Sequence, residues 1–221
     1  MVRVSRPWVG AKAVAAGACG LLAAGCVCPP CPVSPASIAV GTTELLWEGD
    51  GTHSGAQGWT ECDQKAAGCE SLLMAEAGVG KDGTRGLHFK VNGQGWFGMG
   101  WNFFGWWPQT AGVDITPYNT LTFAMRVEAA SPDQAPDVSS LTTHLICSRD
   151  TKATRTVNIE PWAGGATDGQ WHTIEVPLAE LYKGEGAEFD PGSAWEFDFG
   201  LFLPNKRSFS IYFDDIAVVK K

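Results

Sequence analysis

The sequence predicts an all-β fold, an antiparallel β-sandwich of two sheets, and three observations carry that prediction. Short apolar runs recur from about residue 42 to the end of the 221-residue chain, each bounded by Gly, Pro, Asn or Asp. This is the punctuation of strands joined by turns. Several runs alternate with a period of two. Leu121, Phe123, Met125 and Val127 oppose Thr122, Arg126 and Glu128, while Trp195, Phe197, Phe199, Leu201 and Leu203 oppose Glu196 and Asp198. Finally, only Leu178–Tyr182 has helical spacing, so the apolar face of one sheet is covered by another sheet.

Taken in order, the predicted strands are Glu44–Glu48, Ser71–Ala77, Gly86–Val91, Gly95–Trp107, Thr120–Glu128, Leu141–Ser148, Thr154–Glu160, Trp171–Leu178, Trp195–Leu203 and Phe209–Val219. The run Gly95–Pro108 stands out, with Trp96, Trp101, Trp106 and Trp107 among the chain's ten tryptophans. Gly95, Gly98, Gly100 and Gly105 would each weaken a helix, whereas flat rings suit a pleated sheet. Phe97, Met99, Trp101, Phe103 and Trp107 share the apolar side with Gly105 and point to the core. Trp96, Gly98, Gly100, Asn102, Phe104 and Trp106 share the other, which mixes rings with bare backbone and offers a flat ligand a surface. The same pattern fits a strand buried on both faces or a glycine bulge.

Residues 1–25 read as an export signal: Arg3, Arg6 and Lys12 precede a short apolar run, Ala13 to Ala24, too short to span a bilayer comfortably. Leu22-Ala-Ala-Gly-Cys26 resembles a bacterial lipobox, with Ala23 where leucine is usual; Ala16-Gly-Ala-Cys19 is a weaker second candidate. The resemblance implies lipidation at Cys26, a proline-rich tether over residues 26–41, and a domain over 42–221 held at the bacterial cell envelope, on the outer membrane. Plain secretion is the alternative. Losing residues 1–25 removes three of 16 basic residues and no acid. Thirteen bases then face 24 acids, and the formal charge moves from -8 to -11. No basic cluster remains, which argues against nucleic acid and against any membrane contact beyond the lipid.

Cysteine usage fits an oxidising compartment. Cys62 and Cys69 bracket a short polar loop and form the predicted disulfide. Cys28 and Cys31 lie in the tether without a strand–helix unit to activate a thiol, and Cys147 sits mid-strand as a small core residue.

Four segments resemble jelly-roll carbohydrate-binding modules. They are Val113–Phe123, Asp168-Gly-Gln-Trp-His-Thr-Ile-Glu-Val-Pro-Leu178, the Phe199-Gly-Leu201 and Ser210–Val218 pair, and Trp96–Phe103. Their order is similar to that in galactose-binding-like domains and family-11 glucan-binding modules, and covers most of Glu44–Val219. The resemblance implies a jelly roll and a structural calcium where the first and last strands meet. Glu48 and Asp214 match the calcium-binding acids, and Asp50 is a further oxygen ligand. Asp214 and Asp215 also fit a capped bulge.

Such a module stacks neutral sugars on Trp and adds hydrogen bonds from polar side chains. The candidates are Trp96, Trp106 and Trp162, with Asn102, Arg126 and His144 as polar complement, Arg126 and His144 being expected on neighbouring strands. Two rival readings remain. One is a structural or protein-interaction lipoprotein with no sugar site. The other is a jelly-roll glycosidase using Glu196 and Asp198, which lacks the further glutamate that chemistry needs shortly after the aspartate. The leading expectation is a non-catalytic glycan-binding lipoprotein.

Overall fold

Two long strands carry the architecture. The computed structural model describes residues 43–47, 57–63, 68–104, 112–147, 153–183 and 189–221. The signal, the tether, Cys26, Cys28, Cys31, Glu48, Asp50 and Trp106 lie outside the described residues. Within them the strands are β1 (Thr43–Trp47), β2 (Gln57–Cys62), β3 (Glu70–Ala77), β4 (Arg85–Asn102), β5 (Thr120–Ala129), β6 (Leu141–Cys147), β7 (Val157–Asn158), β8 (His172–Pro177) and β9 (Ala194–Val219). One helical turn, α1 (Leu178–Leu181), falls where the spacing predicted it. All strand pairs are antiparallel.

β4 and β9 pair from Leu87↔Phe213 to Asn102↔Glu196, and their register slips between Gly93 and Gly95, opposite Leu203 and Arg207. Gly93 and Gly95 have φ of 145° and 95°, backbone conformations that a β-carbon disfavours. Here the two-stranded ribbon turns a corner. Phe199 and Phe213 belong to one strand, yet their ring centroids are 4.8 Å apart; a straight strand would part them by about 45 Å. The ribbon is therefore folded back on itself, and each half grows its own layer. The first layer runs β2-β4-β9-β6-β7, and the second runs β3-β4-β9-β5-β8. β1 pairs the last residues of β9. Gly86–Val91 and Gly95–Trp107 were expected as separate strands, but Gly86–Asn102 lies in one, β4, and Trp195–Leu203 and Phe209–Val219 likewise both lie in β9. The corner glycines and Pro204 read as turns but make a bend.

The core fills the space between the layers. Phe123, Phe197, Phe199 and Phe213 are fully buried and pack ring against ring at 4.8–6.1 Å. Phe97, Met99 and Trp101 of β4, and Phe103 just after it, also point inward, as the period of two requires. Cys62 and Cys69 form the expected disulfide, with Cα atoms 6.2 Å apart. β2 and β3 flank different halves of β4, so the bridge spans the corner. Cys147 is a buried free thiol.

Candidate functional site

The outer face of the first layer carries the candidate site, and strand register assembles it in rows. Trp59, Gly100, Asp198 and His144 form one row across β2, β4, β9 and β6. Glu61, Gly98, Gly200, Thr142 and Asn158 form the next. Beyond it Trp96 and Phe202 are cross-strand partners. They are 42% and 58% exposed, unusual for large apolar side chains.

The glycines explain how the indoles lie. A β-carbon on Gly98 would sit 2.5 Å from Cζ2 and Cη2 of Trp96 and 3.5 Å from Cη2 of Trp59. One on Gly200 would be 3.8 Å from Trp96 Nε1. One on Gly100 would fall inside the van der Waals envelopes of Trp59 Nε1, Glu196 Oε1 and Asp198 Oδ1. Both indoles thus rest on bare backbone instead of standing off the pleat. A side chain at Gly98 or Gly100 would lift a ring, whereas one at Gly200 would only touch Trp96.

Beside the rings lies an acid pair. Glu196 and Asp198, alternate residues of β9, are 2% and 3% exposed. Trp59 Nε1 donates to Glu196 Oε1 at 2.6 Å, and His144 Nε2 lies 2.9 Å from Asp198 Oδ2. Burial, then the neighbouring Asp198 charge, pushes Glu196 up to about 9. Burial pushes Asp198 up to about 7, and it lowers His144, keeping the imidazole neutral. The alternation of this strand placed both acids on its outward parity. There Trp59 covers them, and the glycine opposite leaves the room they occupy.

The predicted site residues divide accordingly. Trp96 and His144 lie on this face, and Asn102 lies on it too, fully buried beside Glu196. Arg126 does not converge with His144. β5 and β6 border different halves of β9, and the Arg126 guanidinium sits 5.2 Å from the Trp171 ring and 4.5 Å from that of Tyr212, on the second layer. Its polar parity held while its assumed neighbour was wrong, because the corner in β9 puts consecutive strands in different layers. Trp162 follows β7 in a turn and packs partly against the core. Asp214 is buried in the second layer, where Lys81 N (2.8 Å), Thr84 Oγ1 (2.7 Å) and Asp215 N (2.9 Å) donate to its carboxylate. Among the described residues no three His, Cys, Asp or Glu side chains group around it.

Sequence reasoning missed Trp59, Phe202, Thr142 and Asn158. β2 has too few apolar residues to register as a strand, although Gln57-Gly-Trp59 alternates. Phe202 carries a signal that could have found it: it is the one ring on the polar parity of Trp195–Leu203.

A family model described as carbohydrate binding domain 30 matches residues 42–220. Among solved structures, the family 30 carbohydrate-binding module of a cellulosomal cellulase of Clostridium thermocellum is similar. Its TM-score is 0.57 at 18% identity, over 81% of this chain and 98% of that one. A family 11 module of another cellulosomal cellulase of Clostridium thermocellum gives 0.51 at 15%, over 83% and 97%. A β-1,2-glucanase from Parabacteroides distasonis gives 0.54 at 14%, over 75% of this chain but 23% of that enzyme. At these identities the likeness speaks to the fold. None of the curated proteins matches the chain.

Proposed function

This chain belongs to the carbohydrate binding domain 30 family, and from that premise we propose that it binds a neutral β-linked glucan on the outer face of its first layer and does not cleave it. The observation that carries this reading is the pair of indoles, Trp59 and Trp96, laid flat on Gly98 and Gly100. A sugar ring has an apolar face that a flat indole removes from water. Equatorial hydroxyls then meet polar groups at the ring edge, which here are Glu61, Thr142, His144 and Asn158 in the adjoining rows.

The acid pair suits binding better than hydrolysis. Glycosidase carboxyls flank the scissile bond from separate positions about 5–10 Å apart, whereas Glu196 and Asp198 both crowd the one point above Gly100 and are covered by Trp59. The test is affinity electrophoresis through gels containing mixed-linkage β-glucan, with reducing ends measured on the same mixtures. Retarded migration without new reducing ends is expected. Unaltered migration across neutral β-glucans, or released sugar, would overturn the reading.

Two further features belong to the proposal. Lipidation at Cys26 tethers the domain to the cell envelope, and intact mass of protein from native membranes reports the acyl chains. A structural calcium is held by Asp214 with Glu48 and Asp50. Chelation is then expected to lower the melting temperature and calcium to restore it, since the ion binds only the folded chain. Equal melts with and without chelator would dismiss the ion.

A further inference from the structure

The reading above leaves the buried acid pair without a role, and its hydrogen bonding supplies one. Two carboxylates buried side by side are not both ionised near neutral pH unless a cation lies between them. Around this pair, β2 offers Trp59 and, one row away, the acid Glu61; β4 offers Gly98, Gly100 and Asn102; β6 offers the neutral His144. Among the described residues no lysine or arginine stands with these groups. Glu196 Oε2 and Asp198 Oδ1 are buried and have no other hydrogen-bond partner.

One proton completes the set. Trp59 Nε1 donates to Glu196 Oε1, so Oε1 must keep a lone pair free and a proton on Glu196 belongs on Oε2. From Oε2 it can donate to Asp198 Oδ1, while Asp198 Oδ2 accepts from His144 Nε2. The chain Trp59–Glu196–Asp198–His144 is then satisfied from end to end. A fully paired buried network of this kind fixes its members, whereas a half-paired one does not.

We propose that Glu196 and Asp198, sharing one proton, are positioning residues that hold the Trp59 indole flat on the sheet, so that loss of this proton frees the ring and weakens the grip on polysaccharide. The consequence for polysaccharide rests on the function proposed above; the control of Trp59 does not. Below about 7 both acids are protonated, between about 7 and about 9 they share one proton, and above about 9 both are charged. Repulsion in the doubly charged state drives Glu196 outward and takes away the acceptor of Trp59. Because the platform needs the proton, affinity falls in alkali, by at most about tenfold per pH unit above about 9.

The test follows the Trp59 indole N–H by NMR of protein labelled with 15N-tryptophan, from pH 6 to pH 10.5, with affinity electrophoresis on mixed-linkage β-glucan over the same range. The Trp59 resonance is expected to shift or broaden with a midpoint near the upper value, and retardation to weaken with it. Glu196→Gln keeps an acceptor for Trp59 and a donor for Asp198 but has no proton to lose, so it is expected to erase both alkaline transitions. Glu196→Ala removes the acceptor and is expected to loosen the Trp59 resonance at every pH. A Trp59 signal that stays flat across the range in wild type would overturn the proposal, as would a transition that persists in Glu196→Gln. A titrating indole in a protein that no β-glucan retards at any pH would sink the functional reading and uphold the control of Trp59.

Discussion

The two layers carry aromatic residues on both outer faces, yet only one face is a platform. On the second layer His88, Tyr212 and Arg126 form a row in which every position bears a side chain, and Trp171, just before β8, lies against Arg126. His88 stacks on Tyr212 with centroids 4.5 Å apart, and the Arg126 guanidinium fills the space between Tyr212 and Trp171. These rings spend their faces on each other. On the first layer Gly98, Gly100 and Gly200 leave the corresponding positions empty, and Trp59 and Trp96 lie down into them. A hollow of about 1070 Å³ does open on the second face, among Leu72, Lys90, Asn92, Glu128 and Ser210. Its lining is mixed polar and apolar, and no flat ring is exposed in it. Volume and a stacking surface are therefore found on opposite sides of this molecule, and the chemistry of sugar binding favours the stacking surface.

The largest effect is expected from filling the platform's floor. Gly100→Ala drives a methyl into Trp59, Glu196 and Asp198. It is expected to destabilise folding by about 1–3 kcal/mol, as overpacking does, and to abolish glucan retention. Denaturant melts and affinity gels on the same protein check both. The next effect is on binding alone. Trp96→Ala should lose about 1–3 kcal/mol of affinity, roughly 5- to 150-fold, with little change in melting temperature, because its ring is 42% exposed. Trp171→Ala on the other face should leave the affinity intact. If both substitutions weakened retention equally, the contrast between the faces would fail.

How far this contrast could be read from sequence depends on how local its causes are. The parity of β4 was legible, because Phe97, Met99, Trp101 and Phe103 alternate with Gly98, Gly100 and Asn102 within one run. The β5 and β9 alternations were legible for the same reason. The corner was not, since Gly93, Gly95 and Pro204 are turn signals whether a ribbon ends or bends. That single ambiguity misplaced Arg126. Trp59 escaped notice because its strand is short and polar, and its importance comes from Gly100 and Glu196, which lie far along the chain but adjacent in register. The burial of Glu196 and Asp198 was equally invisible, since alternation marks them as outward without saying that an indole covers them.

Smaller effects are expected from pH and from the second face. Glu196 and Asp198 take up protons more readily folded than unfolded, so their contribution to stability is complete below about 4, their unfolded range, and is lost as pH rises towards about 9. Denaturant melts at pH 5, 7 and 9 should show stability falling, by at most about 1.4 kcal/mol per pH unit for each group. Glu196→Gln should flatten the upper part of that slope. Smallest of all, Arg126→Ala should cost about 1 kcal/mol or less of stability through its lost ring contacts and nothing in glucan affinity. A weakened glucan complex in that variant would bring the second face back into the site.

In the function proposed here, the glycine-floored indoles of the first layer are the surface that a glucan covers. The most direct measurement is the set of tryptophan indole N–H resonances, assigned by single substitution and titrated with a mixed-linkage β-glucan oligosaccharide at pH 7. Saturable shifts are expected at Trp59 and Trp96, with Trp171 and the buried Trp195 unmoved. Shifts confined to Trp171, with Trp59 and Trp96 silent at saturation, would contradict that function.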